Sequence, residues 1–118
     1  MMPKFKAFLK DTNQVLDVEI IFFELGIVKL TNNEFYEFDD IILMQSTGLH
    51  DKHGVEIFEW DILTSQDGTD GLISRFIVKR DEFYTGFIPM NREGYGFNRI
   101  MCEAIGNALQ HPELLEGV

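Results

Sequence analysis

Cysteine, cations and long apolar runs are scarce in this sequence, and each scarcity closes a class of function. A lone thiol, Cys102, leaves no internal disulfide and no cysteine-based metal motif, and it fits a reducing cytosol. Ten Lys and Arg stand against twenty Asp and Glu, a formal net charge of −10. That averaged field repels phosphate backbones and anionic lipid, and with no convincing basic cluster direct nucleic-acid binding is not expected. The longest apolar runs, IIFF and IILM, are far too short to span a bilayer, and the opening MMPKFKAFLK breaks its apolar residues with three lysines. Neither a membrane span nor a signal-peptide core is expected, so the protein should be soluble and intracellular. Helical periodicity is also nearly missing.

What is present points to strands. The 118 residues, 45% hydrophobic, have the length of one domain, 1–118, able to bury roughly two-thirds of the surface its unfolded chain exposes. Eleven Phe and short runs of Ile and Val favour β-structure. In VLDVEIIFFE, alternation places Leu16, Val18, Ile20 and Phe22 on one face and begins the other with Asp17 and Glu19. Ile21 and Phe23 spoil the polar face, so the end of this strand is expected to be covered on both sides or to meet a partner. KFKAFL reads as a strand folded back by the turn residues of KDTNQ. Further strands are expected over IVKLT, IILMQ, Asp61–Thr64, Leu72–Lys79, Phe83–Met90 and Arg99–Ile105, with turns at SQDGTDG and NREGYG. Only HPELLEG looks helical, with Pro112 in a first-turn position, Glu113 near the N-terminus and Gly117 as a stop. A single mainly β domain with at least about six strands and a short helical turn at His111–Glu116 is the expectation.

The most patterned stretch is STGLHDKHGVEIFEWDIL, Ser46–Leu63. Asp51-Lys52-His53-Gly54 has turn chemistry, with an Asp to accept backbone N–H groups and a Gly to supply positive φ. Val55 and Ile57 then alternate with Glu56, Phe58 and Trp60, and Asp61 marks a tight corner before Ile62-Leu63. Every residue in this stretch has a folding role.

The pattern formed by Thr47, Gly48, Leu49, Asp51, Lys52, Gly54, Glu56, Ile57, Phe58, Glu59, Asp61 and Ile62 resembles the YopX family of phage and prophage proteins. The opening PKFKAF and the closing AIGN and HPELLEG are similar to that family's two ends, so the resemblance spans essentially the whole chain. Trp60 stands where the family usually has Gly, Phe8-Leu9 where Trp-Asp is common, and His111 where Asn precedes Pro112. The resemblance implies a mainly β fold of compact, coiled or barrel-like antiparallel sheets, and an origin in a temperate phage or prophage. The expected setting is therefore the cytoplasm of a bacterial host. No enzymatic activity and no cofactor are implied.

Sharper chemistry finds little support. His50 and His53, with Asp51 and Glu56 near in sequence, invite a metal-dependent hydrolase, but two histidines on a turn do not converge without a fixed backbone, and His111 is remote in sequence. Cys102 reads as a small core residue in a late strand. Two classes remain: a non-enzymatic module that binds a phage or host protein or copies of itself, and that small hydrolase. A special case of the first is an acidic DNA mimic that inhibits a host nucleic-acid-binding protein. The local evidence for a module is EFYEFDD, where Glu34, Tyr36, Glu37, Asp39 and Asp40 form a candidate interaction surface. Trp60 is a second candidate contact, since an exposed Trp is a frequent interface anchor.

Overall fold

The computed structural model describes residues 4–66, 73–82, 86–91 and 101–115. The expected turns over 65–71 and 91–96 lie almost entirely outside them. The chain packs as two compact units, Met1–Ser46 and Thr47–Val118.

The first unit is an antiparallel sheet. β1 (Phe5–Leu9), β2 (Gln14–Phe22), β3 (Ile27–Leu30), β4 (Phe35–Glu37) and the first half of β5 (Ile41–His50) lie in the order β4-β3-β2-β1-β5. KDTNQ does fold β1 onto β2: Asn13 takes φ 61° and its N–H donates to the Leu9 carbonyl at 2.9 Å. The register pairs Ala7 with Leu16 and with Leu43. Ala7, Leu9, Val28, Leu30 and Ile41 are buried together, with Leu16, Val18, Ile21, Tyr36 and Phe38 packed against them.

One feature of β2 departs from simple alternation. The pairing with β3 shifts between Val18, opposite Leu30, and Ile20, opposite Lys29. Glu19 is therefore an extra residue, a β-bulge, and beyond it the inward positions move by one. Ile21, not Ile20, faces the core. The expectation that Leu16, Val18, Ile20 and Phe22 share one face is thus corrected: the bulge separates the first two from the last two.

The second unit holds the rest of β5, where β6 (Glu56–Phe58) is its neighbour, and a sheet in the order β11-β7-β8 built from β7 (Asp61–Gln66), β8 (Ile73–Ile77) and β11 (Glu103–Asn107). β9 (Lys79–Arg80) and β10 (Phe87–Ile88) form a short antiparallel pair. The strand expected over Leu72–Lys79 is in fact β8 and β9, broken at Val78. There the Val78 N–H still bonds the Asp61 carbonyl at 2.9 Å, the next rung of the β7–β8 register, but its carbonyl takes the Trp60 N–H at 2.7 Å. Ile57, Leu63, Val78 and Cys102 form the core, with Phe87, Met90 and Ala104 against it. Cys102 is fully buried, the core residue expected, but it precedes β11: the strand expected over Arg99–Ile105 begins only at Glu103 among the described residues.

The chain is mainly β. The described sheets are antiparallel and open, none closing into a barrel, and helix among the described residues is confined to 3-10 turns, at Phe38–Asp40, at Pro112–Leu115 and at the single residue Met101. Among the described residues no helix is long and apolar enough to cross a membrane.

Candidate functional site

The patterned stretch Ser46–Leu63 becomes a network of backbone supports. Thr47 Oγ1 donates to the Ile57 carbonyl at 2.8 Å and accepts the Leu49 N–H at 3.1 Å, locking β5 to β6 next to the exposed Gly48. Asp51 is buried, and its Oδ1 accepts the N–H groups of both His53 and Val55 at 2.9 Å. Gly54 closes the same turn at φ +81°, donating its N–H to the Asp51 carbonyl at 3.0 Å. Burial pushes the Asp51 carboxyl up, but the N–H groups of Ala104, Val55 and His53, aided by the His53 ring, hold it below the ordinary carboxylate range.

The polar residues around this turn face Glu103 on β11. Its carboxylate lies 3.5 Å from His53 Nε2 and 3.9 Å from Lys52 Nζ. His50 is exposed at the end of β5, and His111 sits beside the C-terminal 3-10 turn. A Cβ at Gly106 would come within 2.5 Å of the end of the Leu114 side chain and 3.3 Å of His111 Nδ1, so both side chains pack closely over this glycine. Among the described residues, no group of three or more His, Cys, Asp and Glu side chains converges in a way that would hold a metal ion.

The second corner is built on Asp61. Its Oδ2 accepts the Phe58 N–H at 2.8 Å and its Oδ1 accepts from Asn107 Nδ2 at 3.4 Å. Ile57, Phe58 and Ile62 are buried around it, while Glu56 and Glu59 are half-buried. Trp60 takes φ +72°, the left-handed conformation that disfavours a side chain. Its backbone is held at both ends, with its N–H on the Val78 carbonyl and its carbonyl accepting the Ala108 N–H, each at 2.7 Å. The ring is half-buried, and Lys79 Nζ lies 4.7 Å from its centre, a cation–π contact.

The candidate surface of the first unit separates into two faces. Tyr36 packs inward against the core, and its hydroxyl donates to Glu34 Oε2 at 2.9 Å and accepts from Asn32 Nδ2 at 3.1 Å. Glu37, on β4, and Asp39 and Asp40, on the following 3-10 turn, are exposed. The outward aromatic is Phe35, 57% exposed, and it is the residue that sequence reasoning missed. Cross-strand pairing sets Ile20, Lys29 and Phe35 in one row and Phe22, Ile27 and Glu37 in the next. The Phe22 and Phe35 rings lie 6.3 Å apart, joining the rows. At the β2–β3 turn Phe23 and Leu25 are 74% and 70% exposed. The broken alternation at Ile21 and Phe23 signalled apolar residues on both faces of β2, but not which of them face outward.

Comparison with known proteins agrees with this fold. The crystal structure of protein EF1440 from Enterococcus faecalis is similar over 98% of this chain and 99% of that one, with a TM-score of 0.70 at 24% identity. No curated protein matches the chain. The family model described as YopX protein matches residues 4–116. With the match covering both units, the chain belongs to the YopX family.

Proposed function

We propose that this YopX-family chain is a non-enzymatic protein-binding module, an accessory protein of a phage or prophage acting in the cytoplasm of its bacterial host. The observation that carries the reading is the solvent-facing apolar surface of the first unit, where Ile20 and Phe35 stand in one cross-strand row with most of the Phe35 ring exposed. Large apolar side chains exposed together on a water-facing sheet suit a contact surface, here with Lys29 between Ile20 and Phe35 and Glu37 at the edge as its charged members. The patterned stretch Thr47–Ile62 supports the same reading by contrast. Its Asp, Thr and Gly residues are occupied in holding turns, so its chemistry is spent on shape.

The test is affinity capture from the induced host with wild-type chain and with an Ile20→Ser, Phe35→Ser double variant. The wild type should retain one or more specific proteins that the variant loses, while both melt at similar temperatures. Equal retention by the variant would refute this face as the contact surface.

A further inference from the structure

Resting on the module reading, we infer that the open edge of β4 takes an extended, cationic segment of another protein as an added strand, with a Lys or Arg two residues before an apolar side chain. β4 is the terminal strand of its sheet among the described strands. The Leu30 N–H donates to the Glu34 carbonyl at 3.0 Å and the Phe38 N–H donates to the Gly26 carbonyl at 2.9 Å. Hydrogen-bonded residues alternate along an antiparallel pair, so Glu34 and Phe38 turn their backbone toward β3, whereas Phe35 and Glu37 turn theirs to the open edge. The two residues that present backbone groups also present side chains on the outward face, one aromatic and one carboxylate.

Charge selects the occupant. Between Lys29 and Lys52 the chain has no Lys or Arg, while Glu34, Glu37, Asp39 and Asp40 fall in or beside β4. Lys29 itself, on the outward row, lies 3.5 Å from Glu19. Lys10 reaches the neighbouring turn, where its Nζ donates to the Asp39 carbonyl at 2.9 Å. A second copy paired edge to edge about Tyr36 would bring two such carboxylate series along one seam with no cation from either strand, which like-charge repulsion opposes. An antiparallel cationic strand meets the opposite sign. Its residue opposite Glu37 precedes by two the residue opposite Phe35, which gives basic-x-apolar in chain order, and pairs of these kinds stabilise adjacent strands.

The experiment titrates the full chain, labelled for backbone amide NMR, with the peptide acetyl-Lys-Thr-Lys-Val-Ile-Thr-amide and with its counterpart carrying Glu for both Lys. The lysine peptide should shift the Glu34–Asp39 amides saturably, more weakly in high salt, and the glutamate peptide should not. Glu37→Lys should weaken the lysine peptide about tenfold, a size typical of losing one close opposite-charge pair at an interface, and restore binding of the glutamate peptide. Because Glu37 is exposed, a matched melting temperature verifies that the variant is folded. No response at β4, or an equal response to both peptides, overturns the inference. So does a chain that self-associates in sedimentation and loses that association with Phe35→Ser. If the captured proteins still depend on Ile20 and Phe35 while β4 ignores the peptide, the module reading stands and strand addition falls.

Discussion

Asp51 Oδ2 accepts the Ala104 N–H at 2.9 Å across fifty-three positions of sequence, so one carboxylate ties the Lys52–Val55 turn to β11. The Lys52 N–H adds a bond to the Cys102 carbonyl at 3.0 Å, and the turn is thereby sewn to the start of β11, just after the buried thiol.

Removing that carboxylate should be among the most damaging polar changes in the second unit. Asp51→Asn places an amide N–H group against one of three backbone N–H donors, and a loss of about 2 kcal/mol is expected, the scale of a buried donor left unserved. The pH dependence follows from the lowered Asp51 pKa. A folded-state value below the unfolded one means the contribution is whole above about pH 4 and fades as pH falls through the native value. Urea midpoints of wild type and Asp51→Asn should therefore differ at neutral pH and converge in acid. A gap that persists unchanged through the acid range would contradict this.

Gly54 gives a purely conformational test. Beyond its own backbone and its two chain neighbours, no heavy atom lies within 4 Å of where its Cβ would stand, yet its φ is +81°. Gly54→Ala should lose about 1 kcal/mol from backbone strain alone, and Gly54→Val more, because a branched side chain is poorly accommodated there. Equal midpoints for Gly, Ala and Val in chemical denaturation would show that the turn relaxes freely.

At Trp60 two effects oppose each other. Glycine relieves a left-handed backbone by about 1 kcal/mol, while losing the ring forfeits half-buried apolar area and the Lys79 contact, together about 1–2 kcal/mol. Trp60→Gly should therefore melt close to wild type, slightly below it, whereas Trp60→Ala keeps the strain without the ring and should be the least stable of the three. Circular dichroism is the appropriate probe, since Trp60 is the only tryptophan. An alanine variant more stable than the glycine variant would contradict the strained corner.

What was legible in the sequence was local. Asp51 and Gly54 announced their turn because Asx acceptance and positive φ are properties of a few adjacent residues, and Cys102 is buried as its small apolar character suggested, although it stands one residue before the strand it was expected to join. The helical turn before Leu115 likewise followed from Pro112 and Glu113. The outward apolar face was not legible. Which way Ile20 and Phe22 point depends on a two-against-one count opposite Lys29 and Leu30, a fact about the partner strand. Tyr36 turned inward and Phe35 outward for the same reason: β4 is only three residues long, and its parity is set by Val28 across the ladder. The positive φ of Trp60 had no local signal in Trp itself and was foreshadowed only by the Gly that the YopX family usually carries there.

The bulge makes a final prediction possible, because a deletion can distinguish an extra residue from a laddered one. Val18 pairs with Leu30 and Ile20 with Lys29, so removing Glu19 restores ordinary alternation and leaves every other side chain of β2 on its present face. The losses are an exposed ion pair with Lys29 and some local twist, and surface pairs contribute about 0–1 kcal/mol. The Glu19 deletion should fold and keep its melting transition within a few degrees of wild type. Deleting Ile21 instead removes a core-facing residue from a stretch already in register, and forces Phe22 and Phe23 to exchange faces against Val28 and Ile27. A one-residue slip of this kind moves the apolar set to the wrong side of the sheet. That variant should lose cooperative unfolding in the first unit, visible as collapse of amide dispersion for residues of β2 and β3. If both deletions behaved alike, the extra residue of β2 would not be Glu19, and the outward placement of Ile20 and Phe22 would fall with it.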